Sequence, residues 1–178
     1  MWLGVEAQIW VAVIGTGVAT AVLARVVDFL VWLATRHSRG RHLALQLALE
    51  CERFAQRQWH GVANSDYQQE IYGEPYPTLE LEQLDDFDAP RDEWTMLPAQ
   101  LLHDCLDLPA TLYQRHMEVR VAYEVDPDIG MDEERKAAVG NALDALALAR
   151  NLRAQFGWPT SQRNEDLRGY LQNAGSRP

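Results

Sequence analysis

Two cysteines, five histidines and 26 carboxylates are the groups with which this 178-residue chain could bind a metal or catalyse a reaction. The densest cluster is His103, Asp104, Cys105 and Asp107, with Cys51, His60, His116 and Glu118 elsewhere. Zinc sites usually join a C-x-x-C pair to a second close pair of Cys or His ligands, and no such set occurs here, nor does H-E-x-x-H. The string Asp126-Pro-Asp128-Ile-Gly130 begins like a calcium loop, but its glycine comes one position early and Ala137 stands where the loop needs a bidentate glutamate. Cys51 and Cys105 fall on apolar helical spacings, and Asp104 and Asp107 oppose a thiolate at Cys105, so both cysteines read as small core residues. Phosphate-binding glycine loops, G-x-S-x-G and the dinucleotide fingerprint are absent. The residues therefore point to no catalytic set, no cofactor and no metal. A tethered metal-binding or hydrolytic domain using His103, Asp107 and His116 is the competing reading.

Contacts with other molecules are the alternative to catalysis. Gly73-Glu-Pro75-Tyr-Pro77 breaks regular structure, because neither proline donates a backbone hydrogen bond. Seven acids follow between residues 80 and 93, opposed only by Arg91. The spacing predicts an irregular acidic loop over 64–97. It reads as solvated chain, or as a docking strip for a basic partner with Tyr72, Tyr76, Phe87 and Trp94 as aromatic anchors.

Amphipathic helices must carry these groups. Ala44, Leu47, Ala48, Cys51, Phe54, Ala55, Trp59 and Val62 recur at helical steps over 43–63. Pro98 opens a short helix with Leu101, Leu102, Cys105 and Leu106 on one side. Asp107-Leu-Pro109 starts another, with Leu112, Tyr113, His116, Val119 and Tyr123 inward. Asp132 reads as the N-cap of a helix with Ala138, Ala142, Leu146, Ala149, Leu152, Arg153 and Phe156 on its inner face, ending at Gly157. A short turn near Asp166–Leu171 precedes a frayed polar tail over 160–178. No strand pattern appears. The expected body is a bundle of three main helices and one short one over 43–159.

The N-terminal segment differs in character. From Ala7 to Ala24 no residue is charged, and apolar character resumes at Val26 and runs to Ala34 with Asp28 as the interruption. A bilayer core of ~30 Å takes roughly 20 helical residues, so the pattern predicts a transmembrane helix with an interfacial end over 7–34, after a tail of residues 1–6. Arg36, Arg39 and Arg41 form a basic exit over 35–42, which predicts an outward N-terminus and a cytoplasmic body. Gly15 and Ala19 belong to a small-residue pattern suited to helix pairing, hence a homo-oligomer through the span. Arg25 and Asp28, three apart, share a helix face near its inner end.

Charge narrows the partners. The chain carries net charge −10, and residues 1–42 are slightly basic, so the whole surplus of acid lies in the body. Such a body repels phosphate backbones, and nucleic acid is excluded as a partner. Lys136 is the only lysine among 16 bases, a bias suggesting a GC-rich bacterial genome.

The order of features resembles that of uncharacterised bacterial proteins with one N-terminal membrane anchor and a small helical cytoplasmic domain. The short tail before Ile9, the exit at Arg36–Arg41, Ala48-Leu-Glu50-Cys-Glu52, Pro75-Tyr-Pro77 and the closing run Ala147–Pro159 carry the resemblance. It implies no known activity or site. The expectation is a single-pass protein of the bacterial inner membrane, touching the lipid bilayer and a protein partner, acting as a non-catalytic interaction or scaffolding module. A small phage or envelope-stress protein acting through its span is the remaining alternative.

Overall fold

A computed structural model describes the backbone of residues 3–72, 79, 81–84, 87 and 91–174, with side chains described throughout except at 3–22, 32–37, 91 and 92. Among these residues every regular element is a helix: α1 (Leu3–Tyr72), α2 (Arg91–Trp94), α3 (Ala99–Val125), α4 (Pro127–Gln155) and α5 (Gln162–Ala174). The chain divides into two compact units, Met1–Arg39 and Gly40–Pro178.

The first unit consists of the N-terminal part of α1. Its described side chains over 23–31 are all exposed. Here the sequence expectation is corrected: among the described residues, no helix is long and apolar enough to cross a membrane. From Leu23 onward α1 carries Arg25 and Asp28 and then the arginines of the basic segment, so no uninterrupted apolar window remains there. Most of the uncharged stretch that suggested a span lies outside the described side chains, as do Gly15 and Ala19. Helix also continues through Gly40 to Tyr72, so the irregular connection begins well after residue 64.

In the second unit the helical spacing over 43–63 does what the pattern requires. Leu43, Ala44, Leu47, Ala48, Cys51, Phe54, Ala55 and Val62 are buried. Gly40 lies beneath Met96, whose backbone and side chain approach closely enough to crowd a Cβ there. α3 packs against α4, and α4 against α5 through Leu167 and Leu171. The inner face of α4 is rich in alanine (Ala137, Ala138, Ala142, Ala145, Ala149). Small side chains let neighbouring helix axes come close, and they lose no rotamer entropy on burial.

Three boundaries differ from those the sequence suggests. α3 runs through Pro109 without stopping. Proline removes one ladder hydrogen bond, yet buried Leu108 and Leu112 on either side hold this segment against the core. α4 starts at Pro127, not after Asp132: Asp126 Oδ1 accepts from the Asp128 backbone N–H at 2.8 Å, and Pro127 fills the first-turn site. α5 extends over 13 residues where only a short turn was expected. At the end of α4 the reading holds closely, since Gly157 takes the left-handed conformation (φ 69°) one residue past the cap.

Two ion pairs set the direction of α4 against α1. Arg153 meets Glu52 with both fork positions, Nε to Oε1 at 2.5 Å and Nη2 to Oε2 at 3.0 Å, while Arg135 Nη2 reaches Asp66 Oδ2 at 2.9 Å. As α1 advances from 52 to 66 its partners retreat from 153 to 135, so the helices are antiparallel. The same logic makes α3 and α4 antiparallel, through Arg115 to Asn141 and Asp144 and Tyr123 to Glu134. The Glu52 and Arg153 side chains are 8% and 13% exposed, so the pair is nearly dry and neither charge has water to fall back on. Replacing Glu52 by Ala should therefore lower unfolding free energy by about 3–5 kcal/mol, measured by urea denaturation. Glu52→Leu combined with Arg153→Met should recover most of that loss, because no charge is then left stranded.

Candidate functional site

The residues between Tyr72 and α3 form a strap, not a solvated loop, wherever they are described. Leu81 is buried and Leu79, Leu84 and Phe87 are packed partly into the core. Glu82 is tied to α1 twice: its carboxylate accepts from Arg57 Nε, and its backbone carbonyl accepts from Gln58 Nε2 at 2.9 Å. Gly61 lies under Leu79, where a Cβ would come within 3.0 Å of the leucine side chain. On the other side the Leu79 backbone N–H donates to Glu134 of α4. The acids of this stretch raise its apparent solubility, but the leucines between them find core positions.

Glu134 is the polar centre of the attachment. It is buried, and accepts a hydrogen bond from the Tyr123 hydroxyl at 2.7 Å. Burial pushes its pKa up, partly countered by the bonds from Tyr123 and Leu79 and by the charge of nearby His116. The Tyr123 hydroxyl is itself held protonated by burial, then by its bond to Glu134 and that group's charge. Gly130 makes this possible, since a Cβ there would sit 2.4 Å from the Tyr123 ring. The run Asp126–Gly130 that looks like part of a calcium loop thus works as a helix start with a gap for an aromatic ring.

Beside the strap lies a cleft of about 430 Å³, between Leu81–Leu84 and the α3 residues Leu106, Pro109, Ala110 and Tyr113, with His116 and Asn141 also in its lining. His116 Nδ1 is buried without a hydrogen-bond partner. A second cleft, of about 490 Å³, lies between α1 and the strap and is lined by Leu43, Leu47, Arg53, Arg57, Leu84 and Phe87.

The residues singled out in the sequence are scattered. Tyr72 is 70% exposed at the end of α1. Phe87 and Trp94 come together, ring centroids 6.4 Å apart, and both pack partly into the core. Tyr76 lies outside the described residues. Arg25 and Asp28 are exposed on α1 in the first unit. His103 and Asp107 are exposed on α3 while His116 is half-buried, and among the described residues no three His, Cys, Asp or Glu side chains are grouped to hold a metal ion.

Both cysteines are fully buried free thiols. Burial, with nearby Cys105, Glu52 and Glu50 adding to it, keeps Cys51 protonated far above the usual thiol range. Burial and the charge of Asp104 push Cys105 up to about 12. Both environments oppose the thiolate, the form that acts as a nucleophile. What sequence reasoning missed is the Glu134–Tyr123 pair, since Glu134 reads as an exposed first-turn acid, and the Leu79-Leu81-Leu84 spacing that signals a packed strap.

No protein family matches the chain, and no curated protein or solved structure is significantly similar to it.

Two measurements follow from these environments. Glu134 has a folded pKa above its usual 4.5, so the folded state holds this proton more tightly than the unfolded one. Its contribution to stability is then greatest below about 4.5 and is lost as pH rises through the folded value. Relative to Glu134→Gln, the native chain should lose stability with rising pH across that window in urea titrations. Iodoacetamide at mildly alkaline pH should label neither cysteine in the folded chain and both after denaturation, as mass spectrometry would show.

Proposed function

We propose that this chain is a non-catalytic interaction module that associates with the cytoplasmic face of a bacterial membrane through the first unit, leaving the acidic helical body to engage a protein partner. The observation that carries the reading is the apolar face of α1 at Leu23, Val26, Val27 and Leu30. These residues sit one helical face apart by three, four and seven positions and are 65, 50, 50 and 55% exposed. Contiguous apolar surface of this kind marks a place of contact with lipid or protein. Arg36 and Arg39, which follow in the sequence, favour an anionic lipid surface over a neutral one, the charge of Arg25 being offset by Asp28. The body supports the other half of the reading. Its thiols are held protonated, no three His, Cys, Asp or Glu side chains are grouped among the described residues, and the two clefts beside the strap are walled mainly by leucines, aromatics and long polar side chains.

Vesicle flotation tests this directly. The full chain should rise with vesicles containing anionic lipid, and more weakly with neutral ones. A variant carrying Gln at positions 23, 26, 27 and 30 should stay at the bottom of the gradient. If the native chain also stays at the bottom, the association is not with lipid and that part of the reading fails.

A further inference from the structure

α3 is apolar on two faces, and the bundle covers one of them. Leu101, Cys105, Leu108, Leu112 and Val119 are buried, whereas Leu106, Tyr113, Met117 and Val121 are 60, 58, 38 and 57% exposed. Ala110 is exposed too. These five outward residues recur at steps of four, three, four and four, which makes a single stripe along about four turns of helix. Tyr113 and Leu106 belong to the inward set that the sequence predicts, so this face is legible only once the helix is seen packed.

The stripe has a cleft beside it. Leu106, Pro109, Ala110 and Tyr113 form one wall of the 430 Å³ space under the strap, and Leu81 and Leu84 contribute to the other. A shallow apolar stripe next to a hole large enough for one bulky side chain is how folded domains receive an amphipathic helix: the stripe takes the face, and the hole takes the anchor. Ala110, the smallest residue in the stripe, lets a helix backbone approach most closely at the level of the cleft.

Charge decides what kind of helix. Asp107 and Glu118 lie along one side of the stripe, Glu124 lies beyond its end, and Glu82 stands at the cleft. Arg120 is the base on this face, Arg115 being engaged with Asn141 and Asp144. A second copy of the chain is a poor fit. Each copy carries −10, and antiparallel pairing of two stripes brings Asp107 of one near Glu118 of the other, because both lie on the same side of the stripe. A partner with lysines or arginines along the edge of its apolar face that meets Asp107 and Glu118 finds the opposite sign there. We propose that the outer face of α3 and the adjoining cleft dock an amphipathic helix of another protein, basic at its flanks, with one large aromatic or branched side chain inserted between the strap and Pro109. The proposal rests on the interaction-module reading but not on membrane association.

The probe is a labelled helical peptide of about 14 residues, four turns, built from leucine with lysine on its polar side, alongside the same peptide with glutamate for lysine. Fluorescence anisotropy with the full chain at physiological salt should show saturable binding of the lysine peptide and none of the glutamate one. Tyr113→Ser with Met117→Ser should weaken binding at least about tenfold, and Asp107→Asn with Glu118→Gln about threefold. All four positions are exposed, and circular dichroism would confirm that the variants keep their helix. Unchanged affinity in the Tyr113/Met117 variant would mean mere electrostatic adsorption and would overturn the proposal. So would sedimentation of the native chain as a dimer that the same two substitutions dissociate, since the occupant would then be a second copy. Absence of peptide binding removes this docking surface and leaves the flotation result to stand or fall on its own.

Discussion

The bidentate contact between Arg153 and Glu52 joins residues 101 positions apart, and it is the constraint around which the body is arranged. Taking both ions out of water is costly, and the cost is met only when the guanidinium and carboxylate are held in plane with their remaining valences occupied. Arg153 also reaches the Pro159 carbonyl at 3.4 Å, which ties the end of α4 to the chain leaving it. A geometry this demanding leaves α1 and α4 one axial register. The alanines of α4 and Ala48 and Ala55 of α1 then sit in a core where bulkier side chains would force the pair apart.

The strap belongs to the same arrangement. It runs where α1 and α4 leave a groove, and it answers to both, through Arg57 and Gln58 on one side and Glu134 on the other. Each end of the attachment uses a different kind of bond. Toward α1 the contacts are a half-exposed ion pair and an amide hydrogen bond, so they are weak singly and tolerant of small shifts. Toward α4 the contact is a buried carboxylate with two donors, which fixes position closely. The outcome is a segment of acidic composition that nevertheless shapes the wall of an apolar cleft.

Much of the helical content was legible from spacing, because a buried helix face repeats every three to four residues whatever its partner. The face over 44–62 is buried as its pattern demands, with Trp59 partly so, and the face of α4 from Ala138 to Leu152 likewise. Local rules failed where tertiary packing outweighed them. Pro109 reads as a boundary because its penalty is local, while the gain from burying Leu108 and Leu112 comes from residues elsewhere. Asp132 reads as the cap while Pro127 reads as a break, but Asp126 takes that place with Pro127 in the first turn. Arg153 falls correctly among the inward residues of α4, yet nothing near it in sequence names Glu52 as its partner. The uncharged N-terminal stretch has the length of a span, but the described helix beyond Leu23 lacks the apolar continuity that crossing requires. The docking face of α3 was hidden for a different reason. A helix with two apolar faces has no clear inside until its neighbours are placed.

The strap also orders events in time. Its docking groove does not exist until α1 and α4 have found each other, and its closure adds a loop between elements already joined by long-range pairing. Its release would uncover Leu81 and the side of the core it covers, but would leave the Glu52–Arg153 clamp in place. Among the described residues of the body it is a unit whose opening is independent of the α1–α4 clamp, so amide exchange at Leu79 and Leu81 reports on it separately from α4.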